Sequence, residues 1–245
     1  HRSLHLGGKH EGRQKIDFFD LPVWVSRDIL APKYDSSIIS IAKKELGFTE
    51  QDFVIGSFGQ MGKFTKPFCN FLKLILSKEL SVKVLLAGPN DSSFVISELQ
   101  EFIDQGRAII LPTVDVNIAG HCLDIGLDTF PLHGGYSVLE LMAKNIPVLS
   151  LAGGDIDFVE HNRLPETIIS TDTELAQVIS NFIHQPSTLS DIKSKTNEFM
   201  ISHEKSEFFL LYLEEAVQKA RNRILLKQLK KGVHNMKVQI ENHKL

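Results

Sequence analysis

The chain has 245 residues, 42% of them hydrophobic and 23% charged, with a net charge of −3. These are the proportions of a soluble globular protein able to bury a sizeable core, and they exclude the basic footprint of a nucleic-acid binder. Cys69 and Cys122 stand far apart and in no metal spacing, which argues against a disulfide framework and for a reducing, cytoplasmic setting.

No apolar run reaches the length of a bilayer span and no signal peptide is visible. The first residue is not Met, as expected of a fragment. The first fifteen residues are polar, basic and Gly-bearing, and read as a solvated terminus. His1, His5 and His10 invite a metal reading, but His5 and His10 are too far apart to share a helix face. From Ile16 to Pro32 the chain reads as an extended connector broken by Pro22 and Pro32, and a helix follows at Ser36–Leu46 with Gly47 as its stop.

An alternation of strands and helices begins next. Phe53–Phe58 is a short apolar run with a β-branched centre, hence a buried strand, and Pro67–Glu79 has helical spacing. Val82–Gly88 is a strand, Ser92–Asp104 a helix, and Ala108–Leu111 and Leu123–Asp128 are further strands. A helix at Ser137–Lys144 leads to the strand Pro147–Leu151, with a sixth strand at Glu166–Ser170. The chain then turns helical at Thr173–Gln185, at Thr188–Ser202 and from Lys205 onward. The last 25 residues carry seven Lys or Arg against one Glu, a tail that suits a solvated helix or contact with a membrane surface. Three parts are expected: 1–50 as N-terminal segment and linker with a short helix, 51–187 as an α/β domain, and 188–245 as C-terminal helices.

Apolar strands alternating with helices predict a doubly wound, Rossmann-like parallel sheet covered on both faces. Such sheets bind ligands outside the carboxyl ends of their strands. Two glycine-bearing loops lie at that edge. Gly59-Gln60-Met61-Gly62-Lys63 offers backbone N–H groups and a point charge for phosphate, without the Walker spacing. The alternative is a flexible turn with a surface lysine. His133-Gly134-Gly135-Tyr136-Ser137 opens a helix whose N-terminus suits an anion, with Glu140 one turn on to accept ribose hydroxyls. Ser137 and Glu140 also fit S-x-x-E, so a capping box is the competing reading. Asp128, at a strand end, suits a structural bond to the following turn. Thr113 and Val114, beyond the third strand, have backbone groups that could pair with a base edge, or form an ordinary loop. No Ser-His-Asp, Gly-x-Ser-x-Gly, H-E-x-x-H or C-x-x-C arrangement occurs.

The succession G-S-F-G-Q-M-G-K, L-L-A-G, L-D-T-x-P, then G-G-x-S-x-x-E-x-x-A and P-V resembles the C-terminal, donor-binding half of GT-B glycosyltransferases. Within them it is most similar to the O-GlcNAc transferase family and its bacterial relatives. The resemblance covers Phe53–Ser150 and, more loosely, the chain to His184. It implies diphosphate contacts from Gln60, Gly62 and Lys63, with Lys63 catalytic, and phosphate contacts from His133, Gly134, Gly135, Tyr136 and Ser137. It implies ribose recognition by Glu140 and base recognition near Thr113 and Val114. Three features depart from the family: Gly135-Tyr136-Ser137 replaces His-Thr-Thr, Glu140 replaces Asp, and the segment between Pro112 and Leu127 is short and lacks the expected basic residue.

The implied activity is transfer of a sugar from a nucleotide-sugar, a UDP-sugar above all, to a glycan, protein or lipid acceptor. No metal or other cofactor is implied. An N-terminal GT-B domain carrying acceptor and base is implied as a partner, with Leu21–Pro32 as the linker to it. The alternatives are a non-catalytic nucleotide- or partner-binding module and a nucleotide-sugar epimerase of the same architecture.

Overall fold

The computed structural model of the protein describes residues 26–154 and 162–204, with isolated positions between 210 and 222. Val25–Glu204 form one compact unit. The polar N-terminal segment with its three histidines, most of the connector and almost all of the basic tail lie outside the described residues.

Six strands make one all-parallel sheet: β1 (Phe53–Phe58), β2 (Val82–Ala87), β3 (Ala108–Leu111), β4 (Ile125–Leu127), β5 (Val148–Leu151) and β6 (Ile168–Ile169). Their order is β3-β2-β1-β4-β5-β6, the doubly wound order in which chain direction across the sheet reverses between β1 and β4. Every residue of β1 is buried, because helices cover both faces of the sheet. It pairs in register with β2 from Phe53↔Val82 to Phe58↔Ala87, and with β4 at Ile55↔Ile125 and Gly56↔Gly126.

Helices α1 (Arg27–Leu30), α2 (Ser36–Glu45), α3 (Lys66–Lys78), α4 (Ser93–Asp104), α5 (Val116–Ala119), α6 (Tyr136–Ala143), α7 (Asp172–His184) and α8 (Pro186–Glu204) complete the described body. The core face of α3 is Phe68, Phe71, Leu72, Ile75 and Leu76, the i, i+3, i+4 stripe of an amphipathic helix. The rings of Phe68 and Phe130 meet edge to face at 5.3 Å, tying α3 to the loop after β4. Burying a side chain of this size stabilises the fold by about 1.5–3 kcal/mol. Helix α2 packs against α5, and α8 against α6 and α7. Among the described residues no helix is long and apolar enough to cross a membrane.

Three local expectations need correction. Arg27–Leu30, read as extended, is a helical turn, held by Arg27 N–H donating to Glu204 Oε1 at 2.7 Å and by Lys144 Nζ donating to the Leu30 carbonyl. The sixth strand forms but is shorter than Glu166–Ser170: Ile168–Ile169 pair with β5, while Glu166 and Thr167 belong to the 3-10 turn Pro165–Thr167. The Ser137–Glu140 capping box does not form: α6 starts one residue earlier, and its N-cap is Gly135, which has no side chain to cap with. Ser137 therefore sits inside the first turn, where its hydroxyl is past the capping position.

Candidate functional site

A cavity of about 440 Å³ opens at the carboxyl ends of β1 and β4, the point where the strand order reverses and where open α/β sheets hold ligands. One wall is the loop after β1. Its Gly59 N–H bonds the Ala87 carbonyl at 3.0 Å, and Met61 N–H bonds the Pro89 carbonyl at 3.1 Å. Met61 and Phe64 are buried beneath it, so the loop is anchored against the end of the sheet. The close approach depends on Gly88: a Cβ there would stand 1.6 Å from the Gly59 carbonyl oxygen.

The opposite wall runs from Asp128 to the first turn of α6. Thr129 Oγ1 donates to the Leu132 carbonyl at 2.6 Å, and the Phe130–Pro131 peptide is cis. The N-terminus of α6, at Gly135 to Val138, borders the cavity and presents the positive end of the helix dipole to it. Lys63 joins the two walls, its Nζ donating to the His133 carbonyl at 2.6 Å.

Behind the second wall lies a buried polar network centred on Asp128. Its Oδ1 accepts from Gly134 N–H at 2.7 Å. Its Oδ2 accepts from Arg163 Nη2 at 2.7 Å, from Arg163 Nε at 3.2 Å and from Ser150 Oγ at 3.1 Å, and stands 2.9 Å from His133 Nδ1. His133 Nε2 is 3.0 Å from the Gly153 carbonyl, so both ring nitrogens face acceptors. Burial alone raises the Asp128 carboxyl. The His133 bond, the charge and bonds of Arg163 and the Gly134 N–H outweigh it and hold the group below the usual carboxylate range. The expected structural role of Asp128 in the following turn is thus seen directly.

Of the sequence-derived candidates, Gln60, Lys63, Gly134, Gly135, Tyr136 and Ser137 are brought together on this cavity. His133 is buried behind it. Gly62 and Thr113 are exposed, Val114 and Glu140 are half-buried, and none of these four borders the cavity. Burial pushes the Glu140 carboxyl up, with Lys144 partly offsetting it, and burial likewise pushes the Lys144 ammonium down. Lys144 Nζ donates to the Glu140 carbonyl oxygen at 3.1 Å as well as to that of Leu30. Arg163 and Ser150 were missed: neither stands in a motif, and Arg163 lies 35 residues from its carboxylate partner.

No protein-family model matches the sequence, and no curated protein matches it. Among solved structures, the O-GlcNAc transferase of Thermobaculum terrenum superposes with a TM-score of 0.59 at 20% identity, over 78% of this chain and 38% of that one. HepE of Anabaena, solved with UDP and glucose, gives 0.61 at 20% identity over 81% and 56%. A glycosyltransferase from Rickettsia africae gives 0.63 at 16% identity over 84% and 57%. The chain thus spans between 38% and 57% of the length of these proteins, and its described body has the fold of a GT-B glycosyltransferase domain.

Proposed function

We propose that the chain is the nucleotide-sugar-binding part of a glycosyltransferase and that its donor is a UDP-sugar. The observation that carries this reading is the convergence of the Lys63 ammonium and the α6 N-terminus on one cavity at the sheet's switch point. Two independent sources of positive potential there suit a diphosphate. The fold neighbour from Anabaena holds UDP and glucose, which supports the choice of nucleotide.

In the proposed reaction an acceptor hydroxyl or amide forms a bond to the anomeric carbon as the bond from that carbon to the diphosphate oxygen breaks. The electron pair leaves with UDP, and the acceptor proton goes to a base outside the described residues. Lys63 and the α6 dipole stabilise the charge growing on the leaving diphosphate. Gln60 and the Gly134–Ser137 backbone position it, with His133 bracing the turn from behind. On this reading the nucleoside extends past the cavity lining, toward Glu140 with its ribose hydroxyls and toward Thr113 and Val114 with its base.

Calorimetric titration of this chain with UDP, ADP, GDP and CMP tests the assignment. The expected result is selective UDP binding, weakened by Lys63→Ala and by Glu140→Ala. Unchanged UDP affinity in both variants removes these residues from the site, and absence of any nucleotide binding removes the reading.

A further inference from the structure

The Gly134 backbone is held on both sides by buried charge, at the peptide before it and at the peptide after it. Its N–H donates to Asp128 Oδ1 at 2.7 Å, and its carbonyl accepts from Arg163 Nη2. The same Nη2 donates to Asp128 Oδ2 at 2.7 Å, while Arg163 Nε reaches Ser150 Oγ at 3.1 Å. Arg163 is 1% exposed and Asp128 3%. The guanidinium therefore has no face for a ligand in the cavity, and whatever it does there it does through Gly134.

The regular geometry of helix α6 does not extend to Gly134. Gly135, its N-cap, has φ −101° and ψ −93°, outside the helical region, so regular helix geometry starts beyond it. A Cβ on Gly134 would stand 2.9 Å from both Asp128 Oδ1 and Ser137 Oγ, which shows how closely the clamp and the first turn of α6 meet there. Taking an ion pair out of water costs several kcal/mol per ion and returns little net stability compared with apolar packing. What this pair supplies is direction. With the Gly134 carbonyl drawn back onto Arg163, its negative end is kept off the anion path and the α6 dipole is left to act on the cavity.

We infer that Arg163 is a positioning residue for the nucleotide site, fixing through Asp128 and the Gly134 carbonyl the turn that holds the phosphates. This rests on the nucleotide reading above. It assigns to Arg163, which lies outside both glycine-bearing loops, a part in how tightly phosphate is held.

The test compares UDP, which carries the diphosphate, with uridine, which does not. Affinities are measured by calorimetry for UDP and by saturation-transfer NMR for uridine, on the wild-type chain and on Arg163→Lys. Lysine keeps the charge but cannot span Ser150, Asp128 and the Gly134 carbonyl with one planar group. The expected result is UDP binding weakened roughly tenfold, about 1.4 kcal/mol, with uridine affinity unchanged. Equal UDP affinity in wild type and Arg163→Lys overturns the positioning role and leaves the nucleotide reading standing. A parallel loss of UDP and uridine shows a merely structural role and also overturns it. If Arg163→Lys does not fold, Ser150→Ala decides: selective loss of UDP supports the inference and unchanged UDP affinity overturns it. A wild-type chain that binds neither ligand takes down the nucleotide reading and this inference together.

Discussion

Lys63 Nζ and the carbonyl of His133 stand 2.6 Å apart, joining loops 70 residues apart in sequence. The bond places a half-buried ammonium between the two walls of the cavity, pre-paid in orientation. Lys63→Ala is expected to lower UDP affinity by roughly 10- to 100-fold, the scale of a lost charge-assisted bond to phosphate. Unfolding free energy should change by about 1 kcal/mol, the scale of one hydrogen bond to a neutral carbonyl. Calorimetry and urea denaturation read the two quantities separately, and loss of stability without loss of affinity contradicts the assignment.

Asp128 is expected to matter for stability first. Asp128→Asn keeps the shape but leaves the Arg163 guanidinium without its counter-charge, a loss of about 3–5 kcal/mol for breaking a buried pair from one side. The pH dependence has a fixed sign. The folded carboxyl lies below its ordinary 3.8, so its contribution is fully present above that pH and is lost as pH falls through the folded value. Acid denaturation profiles should show this loss in wild type and its absence in Asp128→Asn. Parallel profiles would mean that Asp128 is not the group titrating.

Much of the fold was legible because single local signals decided it. β1 is legible residue for residue: Phe53–Phe58 is a short apolar run with a β-branched centre, and the strand is buried at every position. The convergence of the two glycine-bearing loops also followed from element order, because both leave carboxyl ends of parallel strands. Local text misled where it imitated another device: Ser137 and Glu140 spell a capping box, yet Gly135 is the N-cap. It was silent where distant groups decide. The turn at Arg27–Leu30 depends on Glu204, 177 residues away, and on Lys144, 114 residues away. Arg163 carries no motif at all, and its place beneath the site arises from the fold alone.

Gly88 is expected to be irreplaceable. The Gly88→Ala methyl would lie 1.6 Å from the Gly59 carbonyl oxygen and 2.6 Å from its carbon. Both atoms belong to backbone, so no side-chain rotation relieves the overlap. The cost should exceed the about 1–3 kcal/mol of ordinary overpacking, and the displaced Gly59–Gln60 segment should weaken UDP as well. A variant with wild-type urea midpoint and affinity would show that the β1 and β2 ends do not meet this closely.

Neither cysteine should behave as a reactive thiol. Burial, with a smaller push from the Glu98 carboxylate, drives the Cys69 thiol up to about 11, and burial raises Cys122 too. At pH about 8 the thiolate fraction of Cys69 is then on the order of one in a thousand. Ellman's reagent should label neither residue in the folded chain and both in urea. Fast labelling of the native protein would contradict the burial of α3 against the sheet.

Glu140 separates binding from stability. Its folded carboxyl is raised above the ordinary 4.5 by burial, with Lys144 only partly offsetting the shift. A raised acid favours folding in its neutral form, so its contribution is greatest below that pH and declines as pH rises through the folded value. Glu140→Gln keeps the volume and cannot ionise, so at pH about 7 it should cost no more than about 0.5 kcal/mol, or stabilise the fold. Its amide offers one oxygen where a carboxylate offers two. If Glu140 accepts from both ribose hydroxyls, UDP should weaken by roughly tenfold or more, as for loss of a charged acceptor. A variant as stable as wild type that binds UDP less well places Glu140 in the site. One equally stable with unchanged affinity leaves the half-buried acid as a partner of Lys144 alone.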